Sequence, residues 1–202
     1  NEFILDRGVT EGGEDCLYLN IFVPKGNVDI SKNNYPIMFW IHGGSNIWGT
    51  GNSYDFSKLA ESQKVVVITI NYRLGPMGWF SSSHLRNTSE GDDRSSNFGH
   101  LDIIAALEWV QENGNSFGGD PTNVTIFGES AGGHNVLVML ATKKARGLFH
   151  KAISQSGYVS SFSEQFASEE SELSSAKVFQ DDIRFLTEDQ QIADYLRDMP
   201  IK

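Results

Sequence analysis

Apolar positions along the chain come in short, nearly continuous runs separated by turn residues. Asp15 to Val23 (DCLYLNIFV), Pro36 to His42 (PIMFWIH), Val65 to Tyr72 (VVVITINY) and Val124 to Phe127 are four such runs. Each is too short for a helix and too uniformly apolar for a strand with one wet face, so they predict strands buried on both sides. Lys151 to Gln155 (KAISQ) is a weaker strand candidate. Between the runs the period changes. Ile103, Ala106, Leu107 and Val110 recur at helical spacing within 101–112, and Asn135 to Ala141 continues a second helix. Strands alternating with helices predict an α/β fold with a mostly parallel central sheet flanked by helices. From about Ser160 the chain turns polar and acidic. Val178, Phe179, Ile183 and Leu186, then Ile192, Tyr195 and Leu196, fit short amphipathic helices of a solvated layer. The expected division is therefore a sheet core over 1–159 and the start of a helical cap over 160–202, both parts of a single domain spanning 1–202.

The turn between Val124–Phe127 and the following helix carries the chemistry. Gly128-Glu129-Ser130-Ala131-Gly132 is a Gly-x-Ser-x-Gly pattern between a strand and a helix. In that setting the serine sits on a sharp bend that lifts its hydroxyl off the sheet, and small residues on either side leave room for neighbouring backbone. The helix start behind it offers N–H groups to a developing negative oxygen. A second element, Ile41-His42-Gly43-Gly44-Ser45, follows another buried strand, and its glycine pair lets backbone amides approach a substrate oxygen. Either pattern alone is common in loops; the two together, in this order, point to a nucleophilic serine.

Charge and composition narrow the partners. A net charge of −10 argues against nucleic acid and anionic membrane surfaces. No apolar run has the length of a membrane span, and no His/Cys/Asp cluster has metal-ligand spacing, so neither a metal nor an organic cofactor is called for. Cys16 is the single cysteine and has no partner for an internal disulfide. The sequons at Asn87 and Asn123 match glycan acceptors, a match common by chance.

Four segments resemble the type-B carboxylesterase and cholinesterase family of the α/β-hydrolase fold: GGEDCLYLNIFVP at 12–24, PIMFWIHGGSNIWGTG at 36–51, VVVITINYRLGPMGWF at 65–80, and NFGHLDIIAALEWVQENGNSFGGDPTNVTIFGESAGG at 97–133. KAISQSG at 151–157 fits as well, and GESAGGHN has a bacterial look. The resemblance implies a serine hydrolase that cleaves carboxylic esters through an acyl-enzyme. Ser130 would be the nucleophile, and Gly44, Ser45 and Ala131 would supply the oxyanion-hole amides. Gly43, Gly128 and Gly132 would give the close approaches, and Glu129 would be a buried supporting acid. Asn71, Tyr72 and Arg73 would anchor the strand end near the site, and Trp48 and Trp79 would line a gorge. The family has three glycines after the histidine where this chain has Ser45 in third place. Secreted members pair the cysteine at the Cys16 position with one upstream; no such partner is present here.

The family order places the triad acid and histidine more than a hundred residues past the serine, beyond Lys202. The chain is accordingly expected to be the N-terminal part of the enzyme, nearly inactive alone, with the missing C-terminal part as its partner and a small ester as substrate. His134, one turn along the nucleophile helix, lacks an orienting carboxylate, and His84, His100 and His150 read as loop or surface residues. A non-catalytic adhesion module and an amidase or peptidase of the same fold are the alternatives. The presence of Ser130 disfavours the first, and the glycine loop with GESAGG disfavours the second. Secretion or a periplasmic location is favoured over the cytoplasm.

Overall fold

The structure is a computed structural model and describes residues 12–25, 34–160 and 185–198. Among the described residues five strands form one sheet: β1 (Leu19–Phe22), β2 (Tyr35–Ile41), β3 (Val66–Ile70), β4 (Gly119–Glu129) and β5 (Lys151–Gln155). Their spatial order is β1-β3-β2-β4-β5. The β3–β2, β2–β4 and β4–β5 pairs are parallel, and β1 joins β3 antiparallel at one edge. The principal helices are α1 (Ser57–Gln63), α2 (Gly75–Trp79), α3 (Ser83–Thr88), α4 (Phe98–Asn113), α5 (Ala131–Ala141) and α6 (Asp189–Asp198). None of the described helices is long and apolar enough to cross a membrane.

Both faces of the central strands are covered, which is why their sequences carry so few polar positions. On one face Trp40 of β2, Val67 of β3 and Phe127 of β4 pack with Ala60 of α1 and Val65, and partly buried Phe22, Met38, Phe56 and Leu59 close around them. The opposite parity, including Ile37, Phe39, Ile41, Val66, Ile68, Ile70, Val124 and Ile126, is also buried. Ile103, Leu107 and Val110 of α4 and Val136 and Met139 of α5 are likewise withdrawn from water. Burying an aliphatic side chain of this size contributes about 1.5–3 kcal/mol.

Two strands differ from expectation. Residues 15–18 are not part of β1, and Leu17 and Tyr18 are exposed. Among the described residues β1 has one neighbouring strand, and with a single neighbour an apolar run does not imply two covered faces. β4, in contrast, starts at Gly119 instead of Val124. Tyr35 and Pro36 pair with Gly119 and Asp120, the register then shifts, and Ile37 pairs with Val124. Pro36 has no N–H to donate, and Pro121 lacks one too, so an irregularity between them is the expected outcome. The helix predicted over 101–112 extends over 98–113, and the one predicted to run out of the serine turn through Asn135 to Ala141 spans Ala131–Ala141. Part of the amphipathic pattern placed at Val178–Leu186 lies outside the described residues, whereas Ile192, Tyr195 and Leu196 fall on α6.

The chain falls into two compact units, Asn1–Arg73 with His100–Val159, and Leu74–Gly99 with Ser160–Lys202. In the second, α3 meets α6: the Asp189 carboxylate accepts from His84 Nδ1 at 2.6 Å and Asn87 Nδ2 at 2.8 Å. These hydrogen bonds, His84 first, hold the Asp189 carboxyl below its usual range. In the first, the end of β3 is tied to α4. Asp102 accepts from the Arg73 backbone N–H at 2.9 Å, from Nε at 2.8 Å and from the second guanidinium nitrogen at 2.7 Å. The carboxylate is buried, and this fork supplies the donors that burial demands. Removing the carboxylate takes the acceptor from three donors, of which the Arg73 guanidinium is partly open to water. Asp102→Ala is expected to lower stability by about 1–3 kcal/mol, measured as a shift in the urea midpoint at unchanged slope.

Candidate active site

Ser130 stands between the end of β4 and the start of α5, with φ 56° and ψ −121°. This is sparsely populated backbone for a residue with a side chain, and holding it costs about 1–3 kcal/mol. Neighbouring hydrogen bonds fix it there. The Ser130 N–H donates to the Gln155 carbonyl of β5 at 2.9 Å, and the His134 N–H donates to the Ser130 carbonyl at 2.9 Å. Ser130 itself is half-buried. Ala131, at the first position of α5, is buried and belongs to the turn whose N–H groups have no intrahelical acceptor.

Small side chains let this bend sit against the loop after β2. A Cβ placed on Gly132 would lie 2.0 Å from the Ile41 carbonyl oxygen, and one on Gly43 would lie 2.7 Å from the Glu129 carbonyl oxygen and 3.3 Å from Ser130 Cβ. Gly128 is similarly closed in by Gly132 and Ile41. The loop therefore runs directly beside the serine. Its next three residues all have positive φ: Gly44 at 99°, Ser45 at 58° and Asn46 at 59°. The Gly44 carbonyl accepts from the N–H groups of Ile47 at 2.9 Å and Trp48 at 3.1 Å, which closes the turn.

His42 opens this loop and is buried. Its ring stacks on Tyr72 with centroids 4.4 Å apart. Nδ1 lies 2.8 Å from the Gly43 carbonyl oxygen. Only an N–H at Nδ1 makes that contact favourable, so Nδ1 carries the proton. A trans peptide holds its C=O and N–H on opposite sides, so this bond also directs the Gly44 N–H away from the imidazole. Nε2 is buried with no partner among the described residues. A second proton would have no acceptor, and burial pushes the His42 pKa down from 6.5 to about 4.

The remaining expected residues fall as follows. Asn71 accepts at Oδ1 from the Gly51 N–H at 2.8 Å and from the Thr50 hydroxyl at 3.2 Å, and its own N–H donates to the Tyr18 carbonyl. Glu129 lies at the C-terminal end of β4, exposed among the described residues, with Oε2 near Gly43. A carboxylate left in water there avoids the cost of burial without a cationic partner. Trp48 is also exposed, so no enclosed gorge wall forms around it among the described residues. Cys16 is a half-buried free thiol whose pKa is raised, first by burial. Among the described residues no group of three His, Cys, Asp or Glu is placed to hold a metal ion.

His100 departs from the expectation of a loop or surface residue. It lies on α4, not in a surface loop, and its Nε2 is 3.1 Å from Asn135 Oδ1. Asn135 on α5 is fully buried. Both are polar residues on helices that bury a face, and a polar residue there needs an internal partner. That was the available signal; which partner it found depends on tertiary structure. His134 bonds through Nδ1 to the Tyr158 carbonyl, and His150 Nδ1 accepts from the Val124 N–H at 3.1 Å.

Residues 2–202 match the model of the carboxylesterase family. The chain belongs to that family. It is 52% identical to the para-nitrobenzyl esterase of Bacillus subtilis (strain 168) over 146 residues, 71% of this chain and 28% of that protein. Against carboxylesterase 1E of Rattus norvegicus it is 51% identical over 146 residues, 71% of this chain and 24% of the relative. Among solved structures a thermophilic PNB esterase superposes with a TM-score of 0.77 at 40% identity, covering 93% of this chain and 36% of that one. A further PNB esterase structure gives 0.77 at 39% identity, covering 96% and 39%. This carboxylesterase-family chain thus has the α/β-hydrolase fold and spans roughly a quarter to two-fifths of the length of these relatives.

The His42 environment generates a pH prediction for this family member. Its folded pKa lies below the unfolded value, so the unfolded chain binds more protons between pH 6.5 and about 4. The stabilising contribution is present above pH 6.5 and is lost as pH falls through that window. His42→Gln is expected to flatten the acid limb of the stability profile by up to about 1.4 kcal/mol per pH unit, measured by urea unfolding across the window.

Proposed function

We propose that the protein hydrolyses carboxylic esters of small molecules through an acyl-enzyme intermediate, with Ser130 as nucleophile. The observation that carries this reading is the strained bend at Ser130 pressed against the positive-φ loop of Gly44, Ser45 and Asn46. Backbone amides from two separate segments, Gly44 and Ser45 on one side and Ala131 on the other, are the proposed donors to the oxyanion. Such donors act on charge that develops only as the carbonyl carbon becomes tetrahedral. The serine oxygen attacks that carbon, its proton passes to a base, the alcohol leaves, and water then releases the acid.

The base is proposed to come from another stretch of polypeptide. All five histidines of the chain are described, and among the described residues none has a ring hydrogen bond to the Ser130 hydroxyl: His42 meets Gly43, His84 Asp189, His100 Asn135, His134 Tyr158 and His150 Val124. A serine hydroxyl without a base is a weak nucleophile. Residues 1–202 on their own are therefore proposed to turn over esters only slowly, with the histidine and its carboxylate supplied by the C-terminal part of the enzyme. The esterase names of the relatives support the substrate class.

In the full-length protein, an organophosphonate is expected to label Ser130 stoichiometrically. Ser130→Ala is expected to abolish that label and lower kcat for a para-nitrophenyl ester by about 10⁴-fold or more. A folded, full-length protein that resists labelling and leaves the ester intact would refute the assignment. A matched amide hydrolysed faster than the ester would make it an amidase.

A further inference from the structure

The buried side chain of Asn135 is not explained by packing alone, and its hydrogen bonds lead to the loop beside Ser130. Asn135 Nδ2 donates to Asn46 Oδ1 at 2.9 Å. The Asn135 side chain also favours the ionised form of the Tyr72 phenol, as a donor facing the phenol oxygen would. An amide nitrogen has two protons, so it can serve Asn46 and the phenol at once. The Tyr72 hydroxyl in turn donates to the His42 carbonyl at 2.6 Å. On the other side of the amide, Asn135 Oδ1 has only lone pairs, so the His100 Nε2 at 3.1 Å is the donor there. His100 thereby sets which way the amide faces.

The residues reached are the two ends of one short segment. His42 lies before Gly43, Gly44 and Ser45, and Asn46 lies after them. Ser45 and Asn46 hold positive φ without being glycine, a conformation they leave readily unless something retains it. Asn46 Oδ1 is held directly by Asn135, and the His42 carbonyl is held through Tyr72. Asn135 is carried by α5, the helix that begins immediately after Ser130. The nucleophile and the loop are thus referenced to the same rigid element, and a networked polar group of this kind specifies one arrangement only when every member is satisfied.

We propose that Asn135 is a positioning residue of the reaction, its buried amide clamping both ends of the Gly43–Ser45 segment so that the Gly44 and Ser45 N–H groups are held ready for the oxyanion. This rests on Ser130 being an ester-hydrolase nucleophile. Asn135 touches neither substrate nor reacting atoms; it acts through Asn46 and Tyr72. Its partners predict a specific pattern of loss. Asn135→Asp keeps the size and the acceptor facing His100 but sets an acceptor oxygen against Asn46 Oδ1. Asn46→Gly keeps positive φ accessible while deleting the accepting oxygen.

The test uses the full-length protein. In Asn135→Asp and Asn46→Gly, kcat for a para-nitrophenyl ester is expected to fall about tenfold to a hundredfold, with KM within about twofold. Affinity for an aryl trifluoromethyl ketone, whose adduct with the serine carries the anionic oxygen, is expected to fall by the same factor. The double variant is expected to be little worse than either single one, because both break the same link. Deuterium uptake at the amides of residues 43–48 is expected to rise in both, while uptake in β3 and β4 stays unchanged. A labelled, active wild type whose folded variants keep kcat and ketone affinity overturns the clamp and leaves the hydrolase standing. Losses confined to KM, or losses that multiply in the double variant, overturn it equally. If Asn135→Asp fails to fold, Asn46→Gly and Tyr72→Phe decide the matter by the same readouts. A wild type that the phosphonate does not label overturns the hydrolase assignment, and the positioning role with it.

Discussion

The site depends on how closely two pieces of backbone can approach. The start of α5 lies so near the end of β2 that a single added carbon at Gly132 would overlap the Ile41 carbonyl oxygen, and one at Gly43 would press against the Glu129 carbonyl oxygen. β2 and β4 are neighbours in the sheet with Ile41 opposite Gly128, so both strands deliver their ends to one place. The strained serine and the turn after His42 meet because neither glycine pushes them apart. Side-chain chemistry enters after this contact is made.

The surrounding polar groups share a logic. Several are drawn into the interior and answered there: Asp102 by the Arg73 fork, Asn135 by His100 and Asn46, and the His42 Nδ1–H by Gly43, while His42 Nε2 has no partner among the described residues. Burial makes every such bond worth more and every broken one more costly. It also explains why burial raises the Tyr72 phenol pKa and lowers those of His42 and His100. All three groups stay neutral near pH 7, so the region behind the loop carries dipoles and no net charge of its own. A neutral, rigid backing is suited to holding amides toward an oxygen that becomes negative.

Much of this was legible in the order of residues. The apolar runs at 36–42 and 65–72 carry buried central strands because strands covered on both faces have no room for polar alternation. The pattern Gly-x-Ser-x-Gly after Val124–Phe127 located the bend because nothing larger than those small residues fits between strand and helix. What was not legible depended on neighbours. Leu17 and Tyr18 look like core, but an edge position leaves them wet. Gly119 and Asp120 look like a turn, yet they pair with Tyr35 and Pro36 across a register shift that only the partner strand reveals. His100 was assigned to the surface because helical spacing alone does not disclose the amide it meets.

One hydrogen bond ties the bend to the rim of the sheet. The Ser130 N–H is held by Gln155 of β5, a strand largely exposed and, among the described residues, paired only with β4. The peptide that must stay most distorted is therefore restrained across the sheet by β5 and along α5 by the His134 N–H. Loosening of either restraint would let residue 130 relax toward an ordinary backbone geometry while the buried strands beside it remain intact.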